Sequence, residues 1–486
     1  MRFKLVFSII GFMSVCCGLA MLVPAATNLF YGWDGAAKRF AVSAALAVSI
    51  GVLMCLLTGT DREPLRTKEM FLATALIWIS YALLSAIPFF VSEYNLSWTD
   101  SVFEAVSGLT TTGATVLSGL DTLSPGLLLW RSMLQWIGGA GIVIVAIVVL
   151  PTLRIGGMQF FGTEASASNR DLPTVVQNMR AILIYFIGLT ILCAGALKIA
   201  GMTGFDAINH ALATISTGGF STHDLSVGYY HNPLIEWILS GFMLVSSLPL
   251  VMGLYLWRQR WQMIRQDAQI GVYLKFLVGA VVLLTTLRWL QDRFLPAELM
   301  TYIREAVFAI ISVVTTTGFV TENYQLWGNF AIAFFMFLSM AGGCTGSTSG
   351  GIKMFRFTIL LRTVGVRLKK LVQPHGVFIP RYGTQVITDD ILISVLVFFG
   401  LYLGTSMVIT LILTGTGLDF VTSLSGAFSA LSNVGPALGP VIGPDKTFAF
   451  LPDGAKWVLS LAMLVGRLEF ISIFVLFFPF LWRRNA

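Results

Sequence analysis

Charged side chains are scarce: only 11% of the 486 residues are Asp, Glu, Lys or Arg, and 56% are apolar. With a mean hydropathy of +0.82, that shortage excludes an ordinary soluble domain and points to a chain that crosses a membrane many times. Cysteine and histidine are also few. Cys16, Cys17, Cys55, Cys193 and Cys344 lie in or beside apolar stretches without paired spacing, which argues against a disulfide framework or a cysteine metal site. The scattered His210, His223, His231 and His375 form no ligand or triad pattern, so the sequence supports no enzyme reading. Gly346 to Lys353 is not a phosphate-binding loop, because Ile352 separates the glycine from the lysine and no strand precedes it. The net charge of +7 would suit nucleic acid in a soluble chain. Here it reads as basic residues flanking membrane spans on one side.

What the chain has instead is a short motif written four times. Thr110-Thr111-Thr112-Gly113-Ala114-Thr115 is followed by Ile215-Ser216-Thr217-Gly218-Gly219-Phe220, by Thr315-Thr316-Thr317-Gly318-Phe319, and by the more diverged Leu431-Ser432-Asn433-Val434-Gly435-Pro436. Aligned on Gly113, Gly218, Gly318 and Gly435, the copies are roughly 100 to 117 residues apart, enough for one membrane-embedded unit each. Each has the same neighbours: an apolar span, an amphipathic stretch of about 12 residues, the loop, then a second apolar span. The predicted half-helices are Trp98 to Leu109, Phe205 to Thr214, Leu299 to Val314 and Leu418 to Leu431. Such a plan describes a re-entrant pore loop. Irregular backbone at membrane depth is tolerated only when it is buried in protein or lines water. Four such loops around an axis can present carbonyl oxygens that replace the hydration shell of a monovalent cation. Glycine permits the backbone turn and leaves no side chain on the axis.

The expected fold is therefore an all-α polytopic membrane protein with about ten transmembrane helices. Residues 1–60 form a transmembrane hairpin, with Met1 to Ala26 read as an uncleaved first helix. Repeats follow at 61–165, 166–266, 267–380 and 381–486 around a central pore. Polar linkers at Asp61-Arg62-Glu63, Gly162 to Asp171, Arg258 to Gln269 and Arg367 to Thr388 separate them. Asp100, Glu104, Asp206, Glu305 and Asp419 open the half-helices as caps, which leaves the negative helix ends toward the loops. With both termini cytoplasmic, about 21 of the 31 basic residues fall inside, and all four loops open outward.

Two features lie inside the apolar spans. In repeat three, Ala341 to Gly351 carries Gly342, Gly343, Gly346, Gly350 and Gly351, a poor continuous helix. It reads either as a gate beneath the loops or as close packing through small residues. Arg467, within Val465 to Phe470 of the last span, faces the pore or tethers that glycine-rich loop; the alternative is a salt bridge to Glu469.

These four repeats, the filter glycines, the glycine-rich interruption, Gly466-Arg467-Leu468-Glu469 and the segment Gly218 to Asp224 resemble the Trk/Ktr/HKT superfamily of cation transporters, in its bacterial TrkH/TrkG branch. The resemblance spans nearly the whole chain. It implies potassium uptake across the bacterial inner membrane by a homodimer with a cytosolic, nucleotide-binding TrkA-type regulatory ring, and no cofactor beyond the transported ion. Carried over, the ion-coordinating residues are Thr111, Thr112, Gly113, Ser216, Thr217, Gly218, Thr316, Thr317, Gly318, Asn433, Val434 and Gly435. Glycine at all four positions implies selectivity for potassium; Asn433-Val434 departs from the threonine pair. A carrier coupling potassium to protons or sodium is the alternative to a gated pore, and a non-conducting membrane scaffold is a third reading.

Overall fold

The structure is a computed structural model that describes residues 2–59, 66–148, 172–257, 259, 262, 267–291, 298–383 and 385–478. The predicted breaks at Asp61-Arg62-Glu63 and Gly162 to Asp171 lie outside the described residues, as do Arg258, Arg260, Arg265, Arg483 and Arg484.

The hairpin is α1 (Phe3–Phe30) and α2 (Asp34–Thr58). Small residues bring these two backbones close: a Cβ on Gly11 would lie 2.8 Å from the Gly51 carbonyl oxygen. Arg2 reaches Glu69 at 2.8 Å and ties the hairpin to repeat one.

Repeat one contains α3 (Thr67–Phe90), α4 (Trp98–Leu109) and α5 (Pro125–Val148). Repeat two contains α6 (Leu172–Ile199), α7 (Gly204–Ile215), α8 (Pro233–Ser246) and α9 (Val251–Trp257). Repeat three has α10 (Ala268–Gln291), α11 (Leu299–Val314), α12 (Asn329–Leu338) and α13 (Met354–Val372). Repeat four has α14 (Asp389–Gly415), α15 (Phe420–Ser432), α16 (Asp453–Arg467) and α17 (Phe470–Phe477). A short ribbon, Arg381–Tyr382 against Gln385–Val386, sits in the linker before repeat four.

Among the described residues, α1, α2, α3, α6, α10 and α14 are each long and apolar enough to cross a membrane. The returning span of repeat one, α5, is the continuous helix expected, and that of repeat three is interrupted as expected, but those of repeats two and four are broken where continuous helices are expected. In repeat two the span breaks between α8 and α9 at Ser247-Leu248-Pro249-Leu250, where proline cannot supply the next hydrogen bond. In repeat four it breaks at Leu468-Glu469, with Glu469 at φ +63°. Repeat three has the longest interruption, from Ser339 to Lys353, between α12 and α13.

The half-helices α4, α7, α11 and α15 end within two residues of the predicted bounds. Their starts are set by side-chain caps in three cases. Ser97 accepts from Asp100 N–H, Thr203 from Asp206 N–H, and Asp419 from Thr422 N–H. Of the five predicted capping acids only Asp419 is itself the cap; Asp100 and Asp206 lie in the first turn and accept from the cap hydroxyls of Ser97 and Thr203. Glu104 and Glu305 sit one turn or more inside their helices and are buried ion-pair partners, Glu104 to Arg131 at 2.8 Å and Glu305 to Arg288 at 2.8 Å. A carboxylate there needs a cation beside it, because burial without one is far costlier than any dipole benefit.

Candidate functional site

All four half-helices end in the same way. One residue at each helix end takes a left-handed conformation: Thr111 (φ 54°), Thr217 (φ 54°) and Thr316 (φ 57°) just past the cap, and Asn433 (φ 57°) as the cap itself. The next N–H then donates five residues back, Thr112 to Ser107 O at 2.9 Å, Gly218 to Ala213 O at 2.8 Å, Thr317 to Ser312 O at 2.9 Å and Val434 to Ser429 O at 3.0 Å. This is the Schellman closure, usually made by glycine. Threonine is β-branched, and holding it left-handed costs of order 1–3 kcal/mol unless the surroundings enforce it. Asparagine tolerates that region more easily. Asn433, the apparent departure in repeat four, therefore stands at the one place in its loop where asparagine is the less strained residue.

The closure also sets the register of each loop. Gly113 (φ 83°), Gly219 (φ 79°), Gly318 (φ 81°) and Gly435 (φ 99°) are the equivalent glycines. In repeat two the sequence alignment on Gly218 is thus one residue early. Ser216 is the helix cap, in the place of Thr110, Thr315 and Ser432, and Gly218 stands where the other repeats have Thr112, Thr317 and Val434.

The four loops close into a ring. A Cβ on Gly113 would fall 2.2 Å from the Gly218 carbonyl oxygen, and one on Gly219 would fall 1.8 Å from that of Thr317. On Gly318 it would meet Val434 O at 2.1 Å, and on Gly435 Thr112 O at 2.4 Å. Each glycine therefore lies against the next repeat's carbonyl, in the order one, two, three, four and back to one. Thr110, Thr111, Thr112, Thr217, Thr315, Thr316 and Thr317 are buried. Asn433 Nδ2 bridges to Thr112 Oγ1 at 3.0 Å and to Met463 O at 2.9 Å. Thr111 Oγ1 and Asn433 Oδ1 are buried oxygens without a hydrogen-bond partner among the described residues.

The glycine-rich interruption packs against this ring on the side of its left-handed threonines. Gly350 N–H donates to Thr316 Oγ1 at 2.7 Å, and Thr217 Oγ1 donates to Thr348 Oγ1 at 3.3 Å. The broken span of repeat two offers unpaired backbone groups, and the interruption satisfies them: Cys344 N–H donates to Ser247 O at 2.8 Å and Leu250 N–H to Gly346 O at 2.9 Å. Gly342 N–H pairs with Ile352 O at 2.7 Å, and Gly343 N–H with Ser349 Oγ at 3.1 Å, so the segment is an ordered loop closed by a parallel bridge between Ala341 and Ile352. Gly346 (φ 78°) and Gly351 (φ 65°) supply its left-handed turns. Arg467, at the end of α16, donates from Nη1 to Thr348 O at 2.9 Å. Its Nε and Nη2 have no partner among the described residues. Glu469 pairs with Arg356 at 2.7 Å and not with Arg467.

The family model for TrkH, described as a cation transport protein, matches residues 36–484. This chain belongs to the TrkH family. A curated relative from Halomonas elongata, named Trk system potassium uptake protein TrkI, is 39% identical over 450 residues, covering 92% of this chain and 91% of its own. The Escherichia coli K12 protein named Trk system potassium uptake protein TrkH is 36% identical over 488 residues, with 99% and 100% covered. The crystal structure described as the potassium transporter TrkH from Vibrio parahaemolyticus superposes with a TM-score of 0.91 at 32% identity, over 99% of this chain and all of that one. Family membership makes the chain a membrane ion transporter rather than an enzyme.

Beside the ring, this TrkH-family chain holds groups that the repeat motif did not single out. Arg131 of α5 is wholly buried and joins two repeats. It reaches Glu104 at 2.8 Å, Thr115 Oγ1 at 3.1 Å and Ser221 O at 2.8 Å, and lies 4.1 Å over the Phe220 ring. The loop after Phe220 carries His223, which bonds Asp121 of repeat one, lies 3.7 Å from Asp206, and stacks on Tyr229 at 3.6 Å. Burial works against a charged ring here, but the Asp206 and Asp121 carboxylates outweigh it and raise the pKa above the ordinary 6.5. A raised histidine pKa stabilises the fold fully below about 6.5, and that stabilisation is lost as pH rises through the folded value. Thermal stability in detergent should therefore fall across that window. His223→Gln should flatten the fall, and an unchanged slope would remove the assignment.

Proposed function

We propose that this chain takes up potassium across the bacterial inner membrane through the ring of four loops. The filter would be Thr111, Thr112 and Gly113; Thr217, Gly218 and Gly219; Thr316, Thr317 and Gly318; and Asn433, Val434 and Gly435. The single observation carrying this reading is the closed glycine-to-carbonyl circuit between successive repeats. Backbone oxygens brought that close from four directions can replace the water around a dehydrated cation. The orphaned Thr111 and Asn433 oxygens add acceptors at the inner end. Relatives named as Trk potassium uptake proteins supply the ion. Uptake of rubidium by cells lacking other uptake systems tests it, with Gly113, Gly318 and Gly435 replaced in turn by serine. Loss of uptake or of potassium preference at each position is expected; indifference at all three contradicts the reading.

In the same proposal, Gly342, Gly343, Gly346, Gly350 and Gly351 let the interruption act as a gate, and Arg467 is its tether. A hydrogen bond from a charged donor contributes about 1.5–3 kcal/mol, so Arg467→Ala should shift the closed-to-open balance about tenfold or more toward open. Single-channel open probability measures this, and an unchanged value would exclude the tether. The partner reading is a homodimer bound to a TrkA-type cytosolic ring at the basic linker from Arg367 to Arg381, with both termini cytoplasmic. The repeat divisions at 61–165, 166–266, 267–380 and 381–486, after the hairpin of 1–60, belong to the same proposal.

A further inference from the structure

Repeat two breaks the pattern of the ring at one place. In repeats one, three and four the residue before the left-handed glycine is β-branched: Thr112, Thr317 and Val434. Here it is Gly218, and its backbone is not left-handed, so conformation does not demand glycine. What does demand it is space. A Cβ on Gly218 would fall 2.3 Å from Cδ and 2.6 Å from Oε1 of Gln135, which rises from α5 of repeat one. The missing side chain has been replaced by one from the neighbouring repeat.

Gln135 is fully buried, and both ends of its carboxamide are engaged. Nε2 donates to the Gly218 carbonyl at 2.6 Å, and Oε1 accepts from Phe220 N–H at 3.0 Å. The group thus spans Gly218, Gly219 and Phe220 as a strut. The carbonyl it holds is the one lying against Gly113. Repeats one and three brace the same position differently, through a hydroxyl pair: Thr110 to Thr112 at 2.7 Å and Thr315 to Thr317 at 2.7 Å.

We propose that Gln135 is a positioning residue for ion selection: it fixes the Gly218 carbonyl and draws on one of its lone pairs, which makes repeat two an electronically distinct quarter of the ring. This rests on the filter reading above. An amide donor on a carbonyl leaves less negative charge for an ion, and it restrains how far the oxygen can move toward a smaller one. Either effect bears on the discrimination between potassium and sodium. An unpartnered glutamine buried in an apolar span would be expensive, so its placement needs both bonds.

The test uses the full chain in cells lacking other uptake systems, with membrane abundance measured for every variant. Gln135→Leu keeps most of the volume and removes both bonds. The ratio of potassium to sodium transport should fall about tenfold, the factor associated with losing a buried hydrogen bond, while protein abundance holds. A ratio within about twofold of the unaltered protein overturns the proposal. A second arm does not depend on that variant folding. Gly218→Thr alone should lose uptake, because the new side chain meets Gln135. Combined with Gln135→Ala, it should regain both uptake and selectivity, since threonine could then pair with Ser216 as Thr112 pairs with Thr110. A double variant no better than the worse single overturns the proposal. Gly318→Ala separates the two levels: if it leaves uptake intact, the filter reading fails, whereas if it abolishes uptake while both Gln135 arms fail, only the strut is wrong.

Discussion

Gly219→Ala should abolish potassium uptake, by about a hundredfold or more, and do so more completely than Gly218→Ala. Two terms add. Alanine held left-handed at φ 79° costs about 1–2 kcal/mol, and its Cβ would lie 1.8 Å from the Thr317 carbonyl oxygen, a backbone atom of the neighbouring repeat. Nothing flexible can yield there, so the ring must open between repeats two and three. At Gly218 the obstacle is the Gln135 side chain, which has rotamers to move through. Rubidium uptake at matched membrane abundance decides the order. Gly241→Ala, on α8 with no atom within 4 Å of the added methyl, is the control that should transport normally. Equal damage at 218 and 219, or greater damage at 218, would contradict the register assigned to repeat two.

Arg131→Met should destabilise the protein by about 3–5 kcal/mol, the usual range for stripping one partner from a buried ion pair. Glu104 would be left with no cation, although Val116 N–H at 2.9 Å and Thr115 Oγ1 at 3.0 Å still donate to it. Those donors follow the glycine motif of repeat one, and the Arg131 bond to Ser221 O follows that of repeat two. The loss is therefore expected to weaken the junction between those repeats as well as global stability. Arg131→Lys keeps the charge but cannot reach Glu104, Thr115 and Ser221 together, so it should recover only part of the loss. Denaturation midpoints in detergent measure all three proteins. A shift below about 1 kcal/mol for Arg131→Met, typical of an exposed pair, would mean the pair is wetter than its burial indicates.

How far the chain could be read in advance depends on which forces leave a local trace. The half-helices were legible because an amphipathic stretch ending in Thr-Gly, repeated four times, carries its own boundary signals. Contact between the loops is legible only through the repeat, since one copy alone has no reason to meet another. The register of repeat two was not legible. Gly218-Gly219 offers two glycines, and only the five-residue-back hydrogen bond and the sign of φ choose between them. Glu104 and Glu305 look like helix-opening acids, yet their partners Arg131 and Arg288 lie on other helices of the fold. The break in the returning span of repeat two is hidden inside an apolar run, although Pro249 is a residue type that ends helices, and that of repeat four falls between the charged Arg467 and Glu469 without a proline to mark it. Gln135 leaves one signal in the sequence, the lone amide of an apolar span whose charged residue is Arg131. Asn433 looked like decay of the motif, whereas its backbone angle gives asparagine a reason to be there.

The most direct measurement is anomalous diffraction from crystals of this protein grown in rubidium. The account predicts rubidium on the axis enclosed by Gly113, Gly219, Gly318 and Gly435, coordinated by main-chain oxygens from all four repeats. Rubidium bound elsewhere, or coordinated from only one or two repeats in a preparation that transports, would contradict it.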